Sequence, residues 1–304
     1  MRRRRSQPIG IAFVALSALA ACSIIAMLVI ILASILTQGL PGISLGFLLT
    51  APSEGMRAGG IGPAIFGTFA LVVLMTIAVV PLGVLTSIYL FEYARPDSRL
   101  ARTVNIAVSN LAGVPSIVFG LFGLGFFVQF IGGGIDRLVY GGELVFGQPA
   151  IAWAALTLAL LTLPVVIVTT GEALRAVPTN SREASLALGA TKWQTIWKVV
   201  LPQSTAGILT GAILAVSRGA GEVAPIMFTG AAYFLPTLPT KLNDQFMELG
   251  YHIYVMSTQS PNVEETKPIL FATVLVLLVL TFMLNVAAIG IRARFRATIR
   301  PAEG

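Results

Sequence analysis

The chain has 304 residues, of which 56% are hydrophobic and only 11% are charged, and its formal net charge is +7. Because soluble globular domains carry about 25% charged residues, this composition excludes an ordinary soluble protein and indicates one integral membrane domain. The single cysteine, Cys22, excludes an intrachain disulfide framework.

Six apolar runs are long enough to cross a bilayer, which requires about 20 helical residues. They predict an all-α integral membrane fold with six transmembrane helices. The predicted spans are 9–36, 64–91, 105–130, 150–170, 204–232 and 269–291.

Lysine and arginine are divided unequally between the two ends of these spans. Fifteen of the 20 lie at one end, in the N-terminus, the 92–102 loop, the 171–202 segment and the C-terminal tail, and four lie at the other. The positive-inside rule therefore predicts that both termini are cytoplasmic. Since the basic charge follows the topology, we do not expect a nucleic-acid partner.

The first run has features of a signal sequence, because four arginines precede it and residues 19–22 (LAAC) resemble a lipoprotein cleavage box. The apolar run continues past Cys22, well beyond the hydrophobic region of about 7–15 residues in a signal peptide. We therefore expect an uncleaved transmembrane helix in which Cys22 is an ordinary packing residue.

These features divide the chain into four parts. They are a basic cytoplasmic N-terminus (1–8), a first transmembrane helix with its outer loop (9–63), a core of five helices (64–291) and a basic cytoplasmic tail (292–304). In the third span, the small residues Gly120, Gly123 and Gly125 favour either close helix packing or a flexible segment lining a pore.

The longest outer segment of the core is 233–268. Its residues Leu242, Phe246, Leu249 and Ile253 have helical spacing and predict an interfacial helix with one apolar face, which would cap a pathway or meet an external partner. The lone His252 has no other ligand-type residues at metal spacing, so we expect no metal site.

The cytoplasmic segment 171–202 predicts two short helices. Asn180 and Glu183 have capping-box spacing, Gly189 suits a left-handed helix end, and Pro202 would open the fifth span. The second short helix is predicted to carry Trp193, Ile196, Trp197 and Val200 on one face. Spacing alone leaves two alternatives for this segment, insertion into a groove of another protein or attachment to the lipid surface.

This segment resembles the loop that marks the permeases of bacterial ABC importers, Glu-Ala-Ala-x3-Gly-x9-Ile-x-Leu-Pro. The chain departs from that pattern at Ser185 and Val199. The resemblance implies the type I ABC importer permease (MetI-like) fold, and it favours docking on an ATPase subunit over the lipid surface. The residues for which it implies ATPase coupling are Glu183, Ala184, Gly189, Trp193, Leu201 and Pro202.

Four further stretches resemble the phosphate-specific (Pst) importers, above all the PstA family, although the sister permease PstC shares much of the pattern. They are PLGVLTSIYLFEYA at 81–94, GVPSIVFGLFGLGFF at 113–127, TLPVVIVTTGEALRAVP at 162–178 and VSRGAGEVAPI at 216–226.

The resemblance implies a multi-pass protein of the bacterial cytoplasmic (inner) membrane. Its expected partners are a PstC-like second permease, two PstB-like ATP-binding subunits, an external PstS-like phosphate-binding protein, inorganic phosphate and membrane lipid. The chain has no P-loop motif, so it would contain no cofactor, and the partner ATPase would bind ATP and Mg²⁺.

Arg218 and Glu222 are expected to lie within the fifth span, where a charge costs about 2.5–3.5 kcal/mol. Their spacing places them on one helix face, about 24 Å along the helix from Pro202, toward the outer leaflet. A guanidinium can donate two parallel hydrogen bonds to phosphate, and a nearby carboxylate would keep the site from binding too tightly. The alternatives are a translocation role, which the resemblance favours, and a structural ion pair.

The predicted function is therefore a permease subunit that forms half of the pathway of an ATP-driven phosphate importer. An alternative is a permease for another oxyanion, molybdate or sulfate. Another is a self-sufficient ion-coupled transporter or channel, which would need no ATPase. A membrane enzyme is not expected, because one histidine and one cysteine allow no plausible catalytic constellation.

Overall fold

The computed structural model describes residues 8–53, 58–95, 97–260 and 263–299. The predicted basic N-terminal residues 2–5 and, in the tail, Arg300 lie outside these ranges. Within them, six helices are long and apolar enough to cross a membrane. The predicted all-α architecture with six transmembrane helices is confirmed.

The described helices follow one another along the chain with a single small hairpin between them. The helices are α1 Pro8–Gly39, α2 Leu45–Leu49, α3 Gly62–Ile88, α4 Arg99–Ala112, α5 Ser116–Phe122, α6 Gly133–Val139, α7 Ile151–Arg175, α8 Thr179–Ala187, α9 Lys192–Thr195, α10 Leu201–Gly219, α11 Ile226–Thr229, α12 Leu249–Thr258 and α13 Val263–Ile299. Wider π-helical turns extend α3 (Tyr89–Tyr93), join α5 to α6 (Gly123–Gly132) and join α9 to α10 (Ile196–Val200). The hairpin pairs β1 Pro52–Ser53 antiparallel with β2 Ala58–Gly59.

Helix α7 lies at the centre of the bundle. It packs most extensively against α3 and α10, and it is the span with the largest buried share. The main cluster of buried apolar side chains includes Leu71 and Met75 of α3, Leu158 and Val166 of α7, and Ala215 of α10. By contrast, α1 meets mainly α13 and leaves its apolar side chains exposed, as suits a helix that faces lipid.

The predicted helix over 105–130 was wrong in its first part, because the transmembrane span begins only at Ser116. The helix is interrupted after Gly113, and α4 precedes this interruption as a separate helix. Pro115 has no amide hydrogen and disfavours helical geometry at the residue before it, so the helix cannot run through this point. Beyond the break, Gly120 and Gly123 are in close contact with neighbouring elements, whereas a Cβ at Gly125 would meet nothing.

The predicted helix over 204–232 was also wrong, because α10 ends at Gly219 and a turn follows before the short α11. The sequence between the two helices contains Gly221 and Pro225. Glycine is the poorest helix former after proline, and proline suits the start of a new helix. Glu222 therefore lies in the turn and not on the helix that carries Arg218.

The predicted interfacial helix over the residues 242–253 forms only in its second half. Phe246 is buried and lies in an isolated parallel bridge with Ala231, and α12 begins at Leu249. The helix starts there because the carboxylate of Glu248 caps it, accepting hydrogen bonds from the amides of Gly250 and Tyr251 at 2.8 and 2.6 Å.

The loop between α6 and α7 is held by the buried carboxylate of Asp136. It accepts hydrogen bonds from the amides of Val145, Phe146 and Gly147 at 3.1, 2.8 and 2.6 Å. The Phe146 carbonyl in turn accepts a hydrogen bond from Trp153 Nε1 at 2.8 Å. These bonds fix the loop against the start of α7.

Candidate functional site

Arg218 and Glu222 are in contact at the end of α10. Nε of Arg218 donates to Oε1 of Glu222 at 3.5 Å, and their side chains are 42% and 21% exposed. The amides of Gly221 and Glu222 donate to the carbonyls of Arg218 and Gly219 at 3.4 Å each. The structure thus brings the two predicted residues together, with the carboxylate supplied by the turn.

The guanidinium of Arg218 has donors to spare. It carries five N–H groups, and within the described part of the chain Glu222 is its only recorded side-chain acceptor. A long, partly exposed contact of this kind contributes little stability. The arrangement is suited to holding an oxyanion by the remaining donors, next to a carboxylate that repels it.

The end of α10 is fixed from two sides. Gly219 lies against Met75 of α3, where a Cβ would collide with the thioether. On the other side, Ser217 donates to Oδ1 of Asn285 in α13 at 2.6 Å. Sequence reasoning missed this bond, although an asparagine within a predicted span was a signal, because polar groups in a membrane bond to neighbouring helices.

The segment 171–202 contains the first short helix predicted, α8. The second, α9, is not a separate helix ended by Pro202, because it continues through a π-helical turn into α10. Gly189 has a φ of +84° and ends α8 as predicted. The amides of Ala190 and Gly189 donate to the carbonyls of Ser185 and Leu186 at 3.2 and 2.9 Å, which is the Schellman motif. Ser185, a departure from the importer pattern, also lies 3.0 Å from the hydroxyl of Thr195 and joins the two helices.

The capping box predicted at Asn180 and Glu183 is absent. Helix α8 starts at Thr179, directly after Pro178, without a side-chain cap. The capping box belongs instead to α9, where the amide of Thr191 donates to Oε1 of Gln194 at 2.8 Å and the amide of Gln194 donates back to Thr191 Oγ1 at 3.3 Å. Asn180 is the second residue of α8 and does not occupy the N-cap position, which is taken by Pro178, so its side chain does not cap the helix.

The four apolar residues predicted to share one face form two stripes. Ile196 and Val200 are buried with Leu174 of α7. Trp193 and Trp197 are 57% and 58% exposed and stack with their ring centroids 5.5 Å apart. The prediction of a single face was wrong, because Ile196 and Val200 pack into the buried cluster with Leu174 and only the two tryptophans remain exposed.

The predicted coupling residues divide in the same way. Glu183, Ala184, Gly189 and Trp193 are exposed, whereas Leu201 and Pro202 are half-buried at the start of α10. We define the coupling surface as the exposed residues Glu183, Ala184, Leu186, Leu188, Gly189, Trp193 and Trp197. Leu188 is 90% exposed, so this surface is apolar at its tip.

Sequence reasoning missed the anchor of this segment, Arg182. Its Nη1 lies 3.0 Å from Oε1 of Glu92, and its Nη2 donates to the carbonyl of Leu174 at 2.6 Å. Glu92 follows α3, and Leu174 is at the end of α7. One arginine therefore connects α8 to the C-terminal ends of α3 and α7, the two helices that form most of the core.

Two buried titratable side chains, Glu248 and His252, lie at the start of α12 and within it. Burial raises the pKa of Glu248 to about 7, and burial lowers the pKa of His252 to about 4. Nδ1 of His252 has no hydrogen-bond partner. Among the residues that the structure describes, no group of three metal-ligating side chains is present.

Residues 79–299 match the family described as "Binding-protein-dependent transport system inner membrane component". The chain is 33% identical over 252 residues to the "Probable ABC transporter permease protein YqgI" of Bacillus subtilis, an alignment that spans 79% of this chain and 81% of the relative. It is 39% identical over 204 residues to the "Phosphate transport system permease protein PstA" of Yersinia pestis. That alignment spans 66% of this chain and 63% of the relative, which is less than two thirds of its length.

Two solved structures share the fold. A chain of the MetNI methionine ABC transporter in an inward-facing conformation has a TM-score of 0.57 at 20% identity, covering 76% of this chain and 94% of that chain. A chain of a bacterial alginate ABC transporter in complex with a periplasmic protein has a TM-score of 0.65 at 16% identity, covering 94% and 96%.

Proposed function

Because this chain belongs to the family of binding-protein-dependent transport system inner membrane components, we propose that it is the permease subunit of an ATP-driven importer of inorganic phosphate. The family inferred from the importer loop is confirmed, and the chain is a multi-pass membrane protein with the fold of ABC importer permeases. The phosphate substrate is supported by similarity to permeases named for phosphate transport.

The observation that carries the proposal is the contact between Arg218 and Glu222. In our proposal the guanidinium donates through its free N–H groups to the oxygens of a phosphate ion in transit. The carboxylate at 3.5 Å competes for the same guanidinium. The ion is then released, because Glu222 can replace it and because like charges repel.

The coupling surface is the proposed contact with an ATPase subunit. Two stacked tryptophans and Leu188 present apolar area to a partner, and aromatic anchors of this kind dominate binding at protein interfaces. When the ATPase subunit moves the coupling surface, Leu201 and Pro202 would transmit that movement into α10 from their half-buried positions. The ATPase partner would supply the sites for ATP and Mg²⁺.

The proposed assembly places both termini in the cytoplasm of a bacterial cell with this chain in its inner membrane. A PstC-like permease would complete the pathway, two PstB-like subunits would bind the coupling surfaces, and a PstS-like protein would deliver phosphate outside. The positive-inside distribution of lysine and arginine supports this orientation.

The test is uptake of labelled phosphate by cells that lack this permease, complemented with the wild-type chain, with Arg218→Lys, or with Arg137→Lys. Arg137 is an exposed arginine on α6 and serves as the control. We expect only unlabelled phosphate to compete, and only Arg218→Lys to abolish uptake while membrane assembly is retained. Equal competition by molybdate or sulfate would overturn the substrate, and normal uptake by Arg218→Lys would overturn the role of Arg218.

A further inference from the structure

A cavity of about 770 Å³ opens between α4 and the ends of α3 and α7, at the end of the bundle opposite Arg218. Three arginines line it, Arg95, Arg102 and Arg175. No aspartate or glutamate lines it. The cavity is therefore a concave basic surface, and it is separate from the proposed translocation contact.

Helix α4 supplies the polar wall. Arg102, Asn105 and Ser109 follow one another at spacings of three and four and so lie on one face of the helix, which faces the cavity. Ala101 and Ile106 also line the cavity. Elsewhere on α4, Val108 is buried and Leu100 is 60% exposed. A helix with this distribution lies in the interface between lipid and water.

The guanidinium of Arg175 is held in place by an aromatic ring. Its central carbon lies 4.4 Å from the centroid of the Phe91 ring. Phe91 in turn lies so close to Gly171 that a Cβ there would collide with the ring. Stacking of this kind leaves the edge of the guanidinium free to donate hydrogen bonds.

The charges of the three arginines are not neutralised. Across the described residues, none of them has a carboxylate within 4.0 Å, and the nearby Glu92 is engaged by Arg182. Three converging guanidinium groups attract an anion and repel one another until it binds. Their planar donors match the oxygens of a phosphate group, to which each can donate twice.

We propose that this cavity binds a phosphate group, supplied either by the headgroup of an anionic lipid or by free inorganic phosphate. Basic pockets between transmembrane helices on the cytoplasmic side are suited to anionic headgroups, and the interfacial position of α4 brings the cavity to headgroup level. The Asn105, Ser109 and Asn110 side chains add neutral donors beside the arginines. The site does not depend on which substrate the protein transports.

The test uses the full chain in nanodiscs of phosphatidylcholine, with or without phosphatidylglycerol. Native mass spectrometry measures phosphatidylglycerol that stays bound, and equilibrium dialysis measures labelled inorganic phosphate in the phosphatidylcholine discs. The variants are Arg102→Gln and Arg102→Gln with Arg175→Gln, and the control is Arg99→Gln, an exposed arginine of α4 outside the cavity.

We expect the double variant to lose roughly tenfold in binding of one of the two probes, since each arginine removed takes away charge-assisted hydrogen bonds to the phosphate group. Arg99→Gln should bind like wild type. Loss confined to phosphatidylglycerol identifies the lipid as the source, and loss confined to labelled phosphate identifies the free ion. Equal binding of both probes by wild type and the double variant overturns the proposal. The melting temperature of each variant shows whether that variant is folded. If the double variant is unfolded, the single variant Arg102→Gln, at an exposed position, is used in its place.

Discussion

The guanidinium of Arg182 lies 3.0 Å from the carboxylate of Glu92 and donates a hydrogen bond of 2.6 Å to the carbonyl of Leu174. The pair is mostly buried, with 25% and 8% of the two side chains exposed. Since Glu92 follows α3 and Leu174 belongs to α7, a force applied to α8 reaches both central helices through one side chain.

Glu92→Gln is expected to separate ATP hydrolysis from transport in the assembled importer. Removing one partner of a mostly buried pair leaves the other charge unpaired, at a cost of up to about 3–5 kcal/mol. We expect ATPase activity to persist while phosphate uptake falls about tenfold or more, measured together in proteoliposomes. The exposed Lys198→Gln is the control, and a parallel loss of both activities would contradict the prediction.

Glu222→Gln is expected to change the Michaelis constant and the turnover in the same direction. Without its charge the side chain no longer competes with phosphate for Arg218, so phosphate should bind more tightly and leave more slowly. Initial uptake rates over a range of phosphate concentrations should give a KM and a maximal rate that are both roughly threefold or more below wild type, because a partly exposed ion pair is worth up to about 1 kcal/mol. An unchanged KM would argue for a purely structural pair.

Trp193→Ala with Trp197→Ala should remove the ATPase subunit without unfolding the permease. Both rings are more than half exposed, so their loss costs contact area with a partner and little in the core. The matched change is Ile196→Ala, which removes a side chain that is 1% exposed and should lower stability by about 2–4 kcal/mol. Co-purification with the ATPase and the melting temperature together distinguish loss of the partner contact from loss of stability. An ATPase that stays bound to the double variant would refute the proposed role of the coupling surface.

Glu248→Gln should make the protein less sensitive to alkaline pH. Burial raises the pKa of Glu248 from its usual 4.5 to about 7, so the folded state holds the proton more tightly than the unfolded state. The resulting stabilisation is complete below pH 4.5 and is lost as pH rises through 7, by about 3 kcal/mol in all. Glutamine keeps only one of the two oxygens that accept capping hydrogen bonds, which lowers stability at every pH. The melting temperature of the variant relative to wild type should therefore still rise from pH 5 to pH 8.

His252→Phe should change the pH dependence of stability in the opposite direction. Burial lowers the pKa of His252 from 6.5 to about 4, so its neutral form contributes stability above pH 6.5 that is lost as pH falls through 4. The melting temperature of this variant should therefore exceed that of wild type only at acidic pH. An advantage that is independent of pH would show that ring packing, and not titration, decides the outcome.

The sequence was sufficient for the number of membrane helices and for the importer loop, since each depends on signals within about 20 residues. It was insufficient where a short breaker interrupts a long apolar run. Hydropathy averaged over a span does not register Pro115, which separates α4 from α5, or the turn after Gly219 that carries Glu222. The cavity beside α4 was missed for the same reason, because Asn105 and Ser109 had been placed inside the bilayer.

Contacts between distant parts of the chain were the other source of error. The pairing of Arg182 with Glu92 spans 90 residues, and that of Ser217 with Asn285 spans 68. Glu248 has the spacing of a polar helix residue, and only the packing of Thr68 and α12 around it shows that it is a buried cap. The local sequence pattern shows which residues are polar, but their partners can be identified only from the tertiary structure.

Helix α1 meets the rest of the bundle mainly along α13, and its apolar side chains point away from it. The family match begins only at residue 79, after this helix has ended. Selection on α1 should then act on composition rather than on position, so that one large apolar residue can replace another almost anywhere along its exposed sides. The exceptions are the points of close approach, Gly39 against Phe271 at the end of α1 and Gly42 against Ala272 just after it, where mutational tolerance should be abruptly low.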